Sequence, residues 1–297
     1  MTSPIAAALV ALVTLLLDNF IRKVRSNENL QSRNLELTYV LLGLRVFATA
    51  RDPSTISELS DIGIETLSLE VHKPESIKAL KASIEKRAGG SLDILINNAG
   101  RNYTIPALDV DFDEVQDLFD INVFAVMRMC QSFAPLLIRA KGMIVQIGSL
   151  SGFMPHVFGS PYNASKAALH SYSNTLRVEL APLDVRVVLV YTGGVQSRIA
   201  RIERSLPKDS LYLPANEGYL KRMTHTQQNA MPTDVYAKSV VEQLLKKKPR
   251  HWIWEGSYIW LMWFFWTWMP KTFLDDLFTK MFSLNKISGS QAMRKLK

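Results

Sequence analysis

A chain of 297 residues, 47% hydrophobic and 21% charged, can bury one large core with appendages and is too apolar to be disordered. Its single cysteine, Cys130, excludes an intrachain disulfide and fits a reducing compartment. The net charge of +8 sits at the ends: residues 236–297 carry eleven Lys and Arg against four acids, and residues 1–35 carry four against two. The near-neutral body lacks the basic face of a nucleic-acid binder, so no nucleic acid is expected, and the basic ends point to an anionic membrane surface.

Residues 5–17 (IAAALVALVTLLL) hold twelve apolar residues in thirteen. As a helix the run is about 20 Å long, against roughly 30 Å of bilayer hydrocarbon. Arg22, Lys23 and Arg25 follow it, whereas a secretory leader carries its basic residues first. The run is expected to anchor the chain to a membrane with the remainder on the cytosolic side, a buried helix being the alternative.

The middle of the chain alternates strands and helices. Arg45–Ala50 and residues 65–71 have strand composition, with a helix at 54–61 between them. Residues 76–88 form a helix that Gly89 and Gly90 terminate. Residues 92–96 (LDILI) are a short apolar strand, Phe112–Ala140 a long helix interrupted near Pro135, and Met143–Ile147 the next strand. A helix at 162–180 and a strand at 185–191 follow. This alternation predicts an α/β fold, a doubly wound, Rossmann-like parallel sheet covered by helices. We divide the chain into an apolar anchor with a basic linker (1–35), a catalytic domain (36–235, with a substrate lid over 193–235) and a basic, Trp-rich membrane-associating region (236–297). In that last region all six tryptophans lie between Trp252 and Trp268, and residues 258–269 (YIWLMWFFWTWM) contain one non-apolar residue, Thr267. Tryptophan favours the membrane–water interface. The alternative is a helix packed over the substrate cleft.

The chemistry gathers at the end of this alternation. Tyr162 and Lys166 are four residues apart near a helix start, so they share one face. A phenol ordinarily titrates near 10, and an ammonium beside it favours the phenolate. Ser149 follows an apolar strand, at the sheet edge where ligands collect, and its hydroxyl can bond a substrate oxygen. Asn97-Asn98-Ala99-Gly100 closes one strand, Ser149 the next, and Pro161-Tyr162-Asn163-Ala164-Ser165-Lys166 opens the following helix.

That order and spacing resemble the short-chain dehydrogenase/reductase family over about residues 45–250. The resemblance implies an oxidoreductase that transfers hydride between a nicotinamide cofactor and a carbonyl or alcohol, with no metal. It implies that Tyr162 protonates the carbonyl oxygen, that Lys166 binds the nicotinamide ribose and lowers the tyrosine pKa, and that Ser149 orients the carbonyl. Asn122 corresponds to the family's fourth catalytic residue, which holds a relay water. Asn98 would stabilise the sheet beside the cofactor, with Ala99 and Gly100 against it. Thr192-Gly193-Gly194-Val195-Gln196-Ser197 stands where the family carries Pro-Gly-x-Val-x-Thr along the nicotinamide, so Val195 and Ser197 join the cofactor set. Glu70 takes the place of the family's Asp near the adenine. Arg51 ends the second strand, where NAD enzymes of this fold place an acid; a guanidinium suits a 2′-phosphate, so NADPH/NADP is the expected cofactor.

The family's opening Thr-Gly-x-x-x-Gly-x-Gly turn is not found: between Met1 and Arg51 the only glycine is Gly43. The first βα unit is therefore expected to be truncated or missing. An enzyme with an unorthodox phosphate site, a pseudoenzyme serving as a membrane-tethered binding module, and an N-terminal segment altered by a mispredicted exon all fit that gap. The intact Asn122, Ser149, Tyr162 and Lys166 favour the last. Residues 45–51 (RVFATAR) and the Trp-rich end resemble the fungal reductases of 1-acyldihydroxyacetone phosphate, found on lipid droplets and endoplasmic reticulum. That implies a small lipidic ketone as substrate, with steroid or other hydrophobic alcohol dehydrogenation as the alternative. Arg198, Arg201 and Arg204 in the lid either meet a phosphate or are simply solvated, and a homo-oligomer is compatible with the pattern.

Overall fold

The computed structural model describes residues 8–11, 44–197, 199 and 204–289. Seven strands form one sheet in the order β3-β2-β1-β4-β5-β6-β7. They are β1 Ala8–Ala11, β2 Arg45–Ala50, β3 Glu65–Ser68, β4 Ile94–Asn97, β5 Met143–Ile147, β6 Arg186–Thr192 and β7 Trp252–Glu255. All neighbours run parallel. The order reverses at β1, so a crevice opens at the carboxyl ends of β1 and β4, where ligands bind in sheets of this kind.

β1 pairs with β2 from Ala8↔Arg45 to Ala11↔Ala48 and with β4 from Leu9↔Ile94 to Ala11↔Ile96. This corrects two expectations. These residues of the apolar 5–17 run are a central strand rather than part of an anchor helix, and the first strand of the sheet is present rather than lost. A parallel strand covered on both faces is apolar at every position, so its composition cannot be told from an anchor's. Residues 12–44 then separate β1 from β2, ample for the crossover that parallel neighbours need. The remainder of the apolar run, the basic linker and nearly all of 37–44 lie outside the described residues.

The helices are α1 Pro74–Arg87, α2 Phe112–Phe119, α3 Ala125–Ala140, α4 Ser160–Leu180, α5 Asn216–His225, α6 Thr233–Leu244, α7 Ile259–Trp268 and α8 Asp275–Met281. A 3-10 segment at Pro53–Ile62 replaces the helix expected near 54–61. α1 ends as its glycines require, with φ of 65° at Gly89 and 84° at Gly90. The long helix is continuous through Pro135; its irregularity falls instead at the π turn Asp120–Phe124 between α2 and α3. On one face of the sheet Ile84, Leu95, Phe133, Leu137, Ile144 and Leu169 make the core that buries α1, α3 and α4. On the other, Val145, Val188, Val190 and Ile253 pack against Tyr236, Val240 and Leu244 of α6. α6 and β7, from the basic C-terminal stretch, are thus part of the sheet layer.

A third apolar cluster joins α5, α7 and α8 above the carboxyl edge, with Tyr219, Ile259, Phe278 and Phe282 buried in it. α5 and the chain after α8 touch main chain to main chain. A Cβ on Gly218 would lie 1.9 Å from the Phe282 carbonyl oxygen. Gly218→Val should therefore push the C-terminal cap off α5 and destabilise the protein by about 1–3 kcal/mol, the usual range for overpacking. Denaturant unfolding would measure it, and an unchanged midpoint would show that the cap does not depend on this contact.

Candidate active site

The carboxyl ends of β4, β5 and β6 open onto a cavity of about 460 Å³, lined by Asn98, Gly100, Ser149, Tyr162, Lys166, Val195 and Ser197 among others. Ser149 leaves β5 extended and caps a 3-10 turn, its Oγ accepting the Ser151 N–H at 3.2 Å. The Ser149 N–H donates to His170 Nε2 at 3.2 Å. Burial drives the His170 pKa down to about 3, with Lys166 adding to the effect, so the ring is neutral and free to accept. Gly152 leaves it room: a Cβ there would stand 2.2 Å from His170 Cε1.

Lys166 projects from α4 back under β5 and donates from Nζ to the Ile147 carbonyl at 2.9 Å. Its side chain is 5% exposed, and burial lowers its pKa to about 8. Tyr162, one turn earlier, has its ring centroid 6.0 Å from that ammonium. Burial raises the phenol above its usual value, opposed by a hydrogen bond with Ser149 and by the Arg222 charge. Desolvation outweighs the opposing pull of Ser149 and Arg222. The phenol consequently keeps its proton at neutral pH.

Asn122 is 1% exposed in the π turn. Its Nδ2 donates to the Arg101 carbonyl and to Ser165 Oγ, each at 3.0 Å, and its Oδ1 accepts the Arg101 N–H at 2.9 Å. It ties the segment after β4 to α4. A Cβ on Gly100 would lie 3.2 Å from Asn122 Oδ1 and 3.8 Å from Lys166 Nζ, so Asn122 sits behind the Gly100 corner of the cavity, which Gly100 and Lys166 line.

The role expected of Asn98 in holding the sheet falls to its neighbour. Asn97 Nδ2 donates to Gln146 Oε1 at 3.1 Å and to Cys130 Sγ at 3.5 Å, bridging β4 and β5, while Asn98 faces the cavity. The alternation of side chains along a strand decides which of two adjacent asparagines turns inward. Ala99 packs toward the core rather than into the cavity. Arg51 is exposed just past β2, and Glu70 is held below the usual carboxylate range by a hydrogen bond from Lys73; both stand away from the cavity walls. Thr192, at the family's proline position, has its hydroxyl 2.7 Å from the Tyr236 hydroxyl.

A nicotinamide nucleotide fits what is present at this end. An ammonium offers three donors and Lys166 uses one on Ile147, leaving two for ribose hydroxyls beside Asn98 and Gly100. Ser197 and Val195 are fixed by Gln227, whose Oε1 accepts the Ser197 N–H at 3.0 Å and whose Nε2 donates to the Val195 carbonyl at 3.4 Å. The segment that would face the pyrophosphate lies within residues 12–43, outside the described residues.

A family model described as short chain dehydrogenase matches residues 34–206. The chain belongs to the short-chain dehydrogenase family. It is 42% identical over 265 residues to a short-chain dehydrogenase of Neurospora crassa, covering 88% of this chain and 91% of that protein. An NADPH-dependent 1-acyldihydroxyacetone phosphate reductase of Schizosaccharomyces pombe is 42% identical over 186 residues, 61% of this chain and 63% of that protein. Among solved structures, a short-chain dehydrogenase from Streptomyces avermitilis superposes with a TM-score of 0.71 over 96% of this chain and 98% of that one, at 22% identity, a likeness of fold alone.

Sequence reasoning missed His156, Arg222, His225 and Gln227 of this short-chain dehydrogenase, all of which line the cavity. They carry no motif; only the fold brings them to the site. It left Arg204 open as a phosphate ligand or a solvated side chain; instead both terminal guanidinium nitrogens donate to Glu114, at 2.5 and 2.6 Å. Arg198 and Arg201 lie outside the described residues.

The Lys166 ionisation gives a pH prediction. With its pKa lowered to about 8, the ammonium is charged below that pH and neutral above it. Since kcat/KM reports the free protein's groups, carbonyl reduction should decline as pH rises through about 8. A profile flat from about pH 7 to 10 would show that the charge on Lys166 is not needed.

Proposed function

We propose that this short-chain dehydrogenase reduces a lipidic ketone with NADPH, an acyl-dihydroxyacetone phosphate being the leading candidate. The observation that carries the proposal is the convergence of Ser149, Tyr162 and Lys166 on one cavity at the carboxyl edge of the sheet. When bound, NADPH supplies the hydride. Ser149 donates a hydrogen bond to the substrate carbonyl and aligns it. Tyr162, its proton retained by burial, passes that proton to the same oxygen. Lys166 holds the ribose and, as a cation, stabilises the phenolate that remains. Asn122 fixes the backbone at 101 against α4, so the corner where these groups meet stays narrow.

Support for a lipidic substrate comes from the apolar outer wall, where Met262, Leu274, Leu277, Phe278 and Met281 line the cavity. The name of the fission-yeast relative points the same way, and its NADPH agrees with a guanidinium at Arg51. We also place the protein at a membrane surface, on the cytosolic face of the endoplasmic reticulum or a lipid droplet. α7 packs Ile259, Met262, Phe265 and Trp266 inward and presents Trp260, Leu261, Phe264 and Trp268 outward, while Lys246, Lys247, Lys248 and Arg250 stand before it. An apolar ridge of this kind suits a lipid surface, and the basic stretch before β7 adds charge that an anionic surface attracts.

Two substitutions test the reading. Tyr162→Phe should lower kcat by roughly 10²–10⁴-fold with the fold intact by circular dichroism; a variant retaining most of its kcat would remove Tyr162 from the mechanism. Arg51→Asp should weaken NADPH at least about tenfold more than NADH, because attraction for the 2′-phosphate becomes repulsion. Calorimetric titration of both cofactors would show it, and equal losses would mean that Arg51 does not read the phosphate.

A further inference from the structure

Resting on that reading, one residue of the cavity stands apart. Arg222, on α5, is 4% exposed and lines the cavity beside Tyr162, His156 and His225. Its Nε has no hydrogen-bond partner, and among the described residues no carboxylate pairs with it. Among the described residues the cavity wall contains two cations, Lys166 and Arg222, and neither an aspartate nor a glutamate. A buried guanidinium is ordinarily paired, because leaving one unpaired in a low-dielectric interior is costly.

The two histidines do not relieve it. His156 is driven to about 3 by burial, with Arg222 and His225 adding to the effect, and its Nδ1 lies 3.0 Å from Ser151 Oγ. His225 is likewise held low, first by burial, and its Nδ1 is unpartnered. Both rings are neutral neighbours of an uncompensated charge. Lys166 is already bonded to Ile147 and faces the ribose position, so among the described residues Arg222 is the cation left for the substrate.

We infer that Arg222 is the anchor for an oxyanion carried by the substrate close to its reacting carbonyl, a phosphate or a carboxylate, with the apolar wall taking the chain beyond it. The planar fork matches either group in a bidentate geometry. The closeness of Arg222 to Tyr162 requires the anion to lie within a few bonds of the ketone. A phosphate two atoms from the carbonyl, as in an acyl-dihydroxyacetone phosphate, meets that requirement, and so does a 4-oxo acid.

The test compares matched substrates. With NADPH, kcat/KM would be measured for an acyl-dihydroxyacetone phosphate and its dephosphorylated form, and for 4-oxohexadecanoate and its methyl ester. The wild-type protein should favour the anionic member of at least one pair by about 100-fold, and the pair that shows the preference tells phosphate from carboxylate. In Arg222→Met the ratio should fall to within about threefold, the anionic substrate losing far more than its neutral partner, and Arg222→Lys should lie between. Equal wild-type rates on both members of both pairs, or a variant losing both members equally, would overturn the inference.

Thermal unfolding supplies a readout independent of turnover. Removing an unpaired buried charge should raise the melting temperature of Arg222→Met above wild type. Millimolar glycerol 3-phosphate or 4-oxohexadecanoate should raise the wild-type melting temperature and leave the variant unmoved. A variant less stable than wild type, or equal shifts in both proteins, would mean that Arg222 serves the fold. If no ketone is reduced at all, the proposed reaction fails and the melting shifts alone decide Arg222.

Discussion

The active corner of this protein depends first on the hydrogen bond from the Lys166 ammonium to the Ile147 carbonyl. It crosses from α4 to the last residue of β5, and the groups of interest lie on either side of it. Ser149 is two residues beyond the carbonyl, and Tyr162 is one helical turn before the lysine. Neutral His170, one turn after Lys166, accepts the Ser149 N–H and closes the arrangement from behind. Strand end, turn and helix are thus fastened at two points, and the serine and tyrosine oxygens have little freedom to drift apart.

Desolvation sets the chemistry within that frame. The same burial that lowers the Lys166 amine raises the Tyr162 phenol, moving both toward their neutral forms. A phenol that retains its proton suits a donor to carbonyl oxygen, and an amine titrating near the working range can respond to what binds beside it. Burial lowers Arg222 as well, to about 10, yet its guanidinium stays charged at neutral pH. Among the described residues, the substrate chamber therefore holds one permanent positive charge with no carboxylate on its wall to balance it.

Much of this was legible in the chain. Turn glycines and apolar strands gave the alternation, and the spacing of Ser149, Tyr162 and Lys166 located the site, because i,i+4 placement and the carboxyl edge of a parallel sheet are local facts. What escaped was non-local. Ala8–Ala11 has the composition of an anchor because internal parallel strands and lipid-facing helices both select apolar residues. Which of Asn97 and Asn98 turns inward depends on strand phase, and a run of four residues does not reveal it. Arg222 stands among ordinary polar residues of α5 and gains its meaning only when the C-terminal cap closes over it. Arg204 looked equally available in sequence, yet Glu114, ninety positions away, claims it.

The placement of the tryptophans has a spectroscopic consequence. All six lie between Trp252 and Trp268, on β7 and α7, with Trp254 stacked on Tyr191 at 4.1 Å and Trp266 beneath Lys271. The intrinsic emission of the protein thus originates in one quarter of the molecule. It reports on the cap and the cavity mouth and is blind to β1–β5, whereas backbone ellipticity reports on every strand and helix. Loosening of the cap with the sheet still folded would separate the two signals, and a single concerted transition would bring them back together.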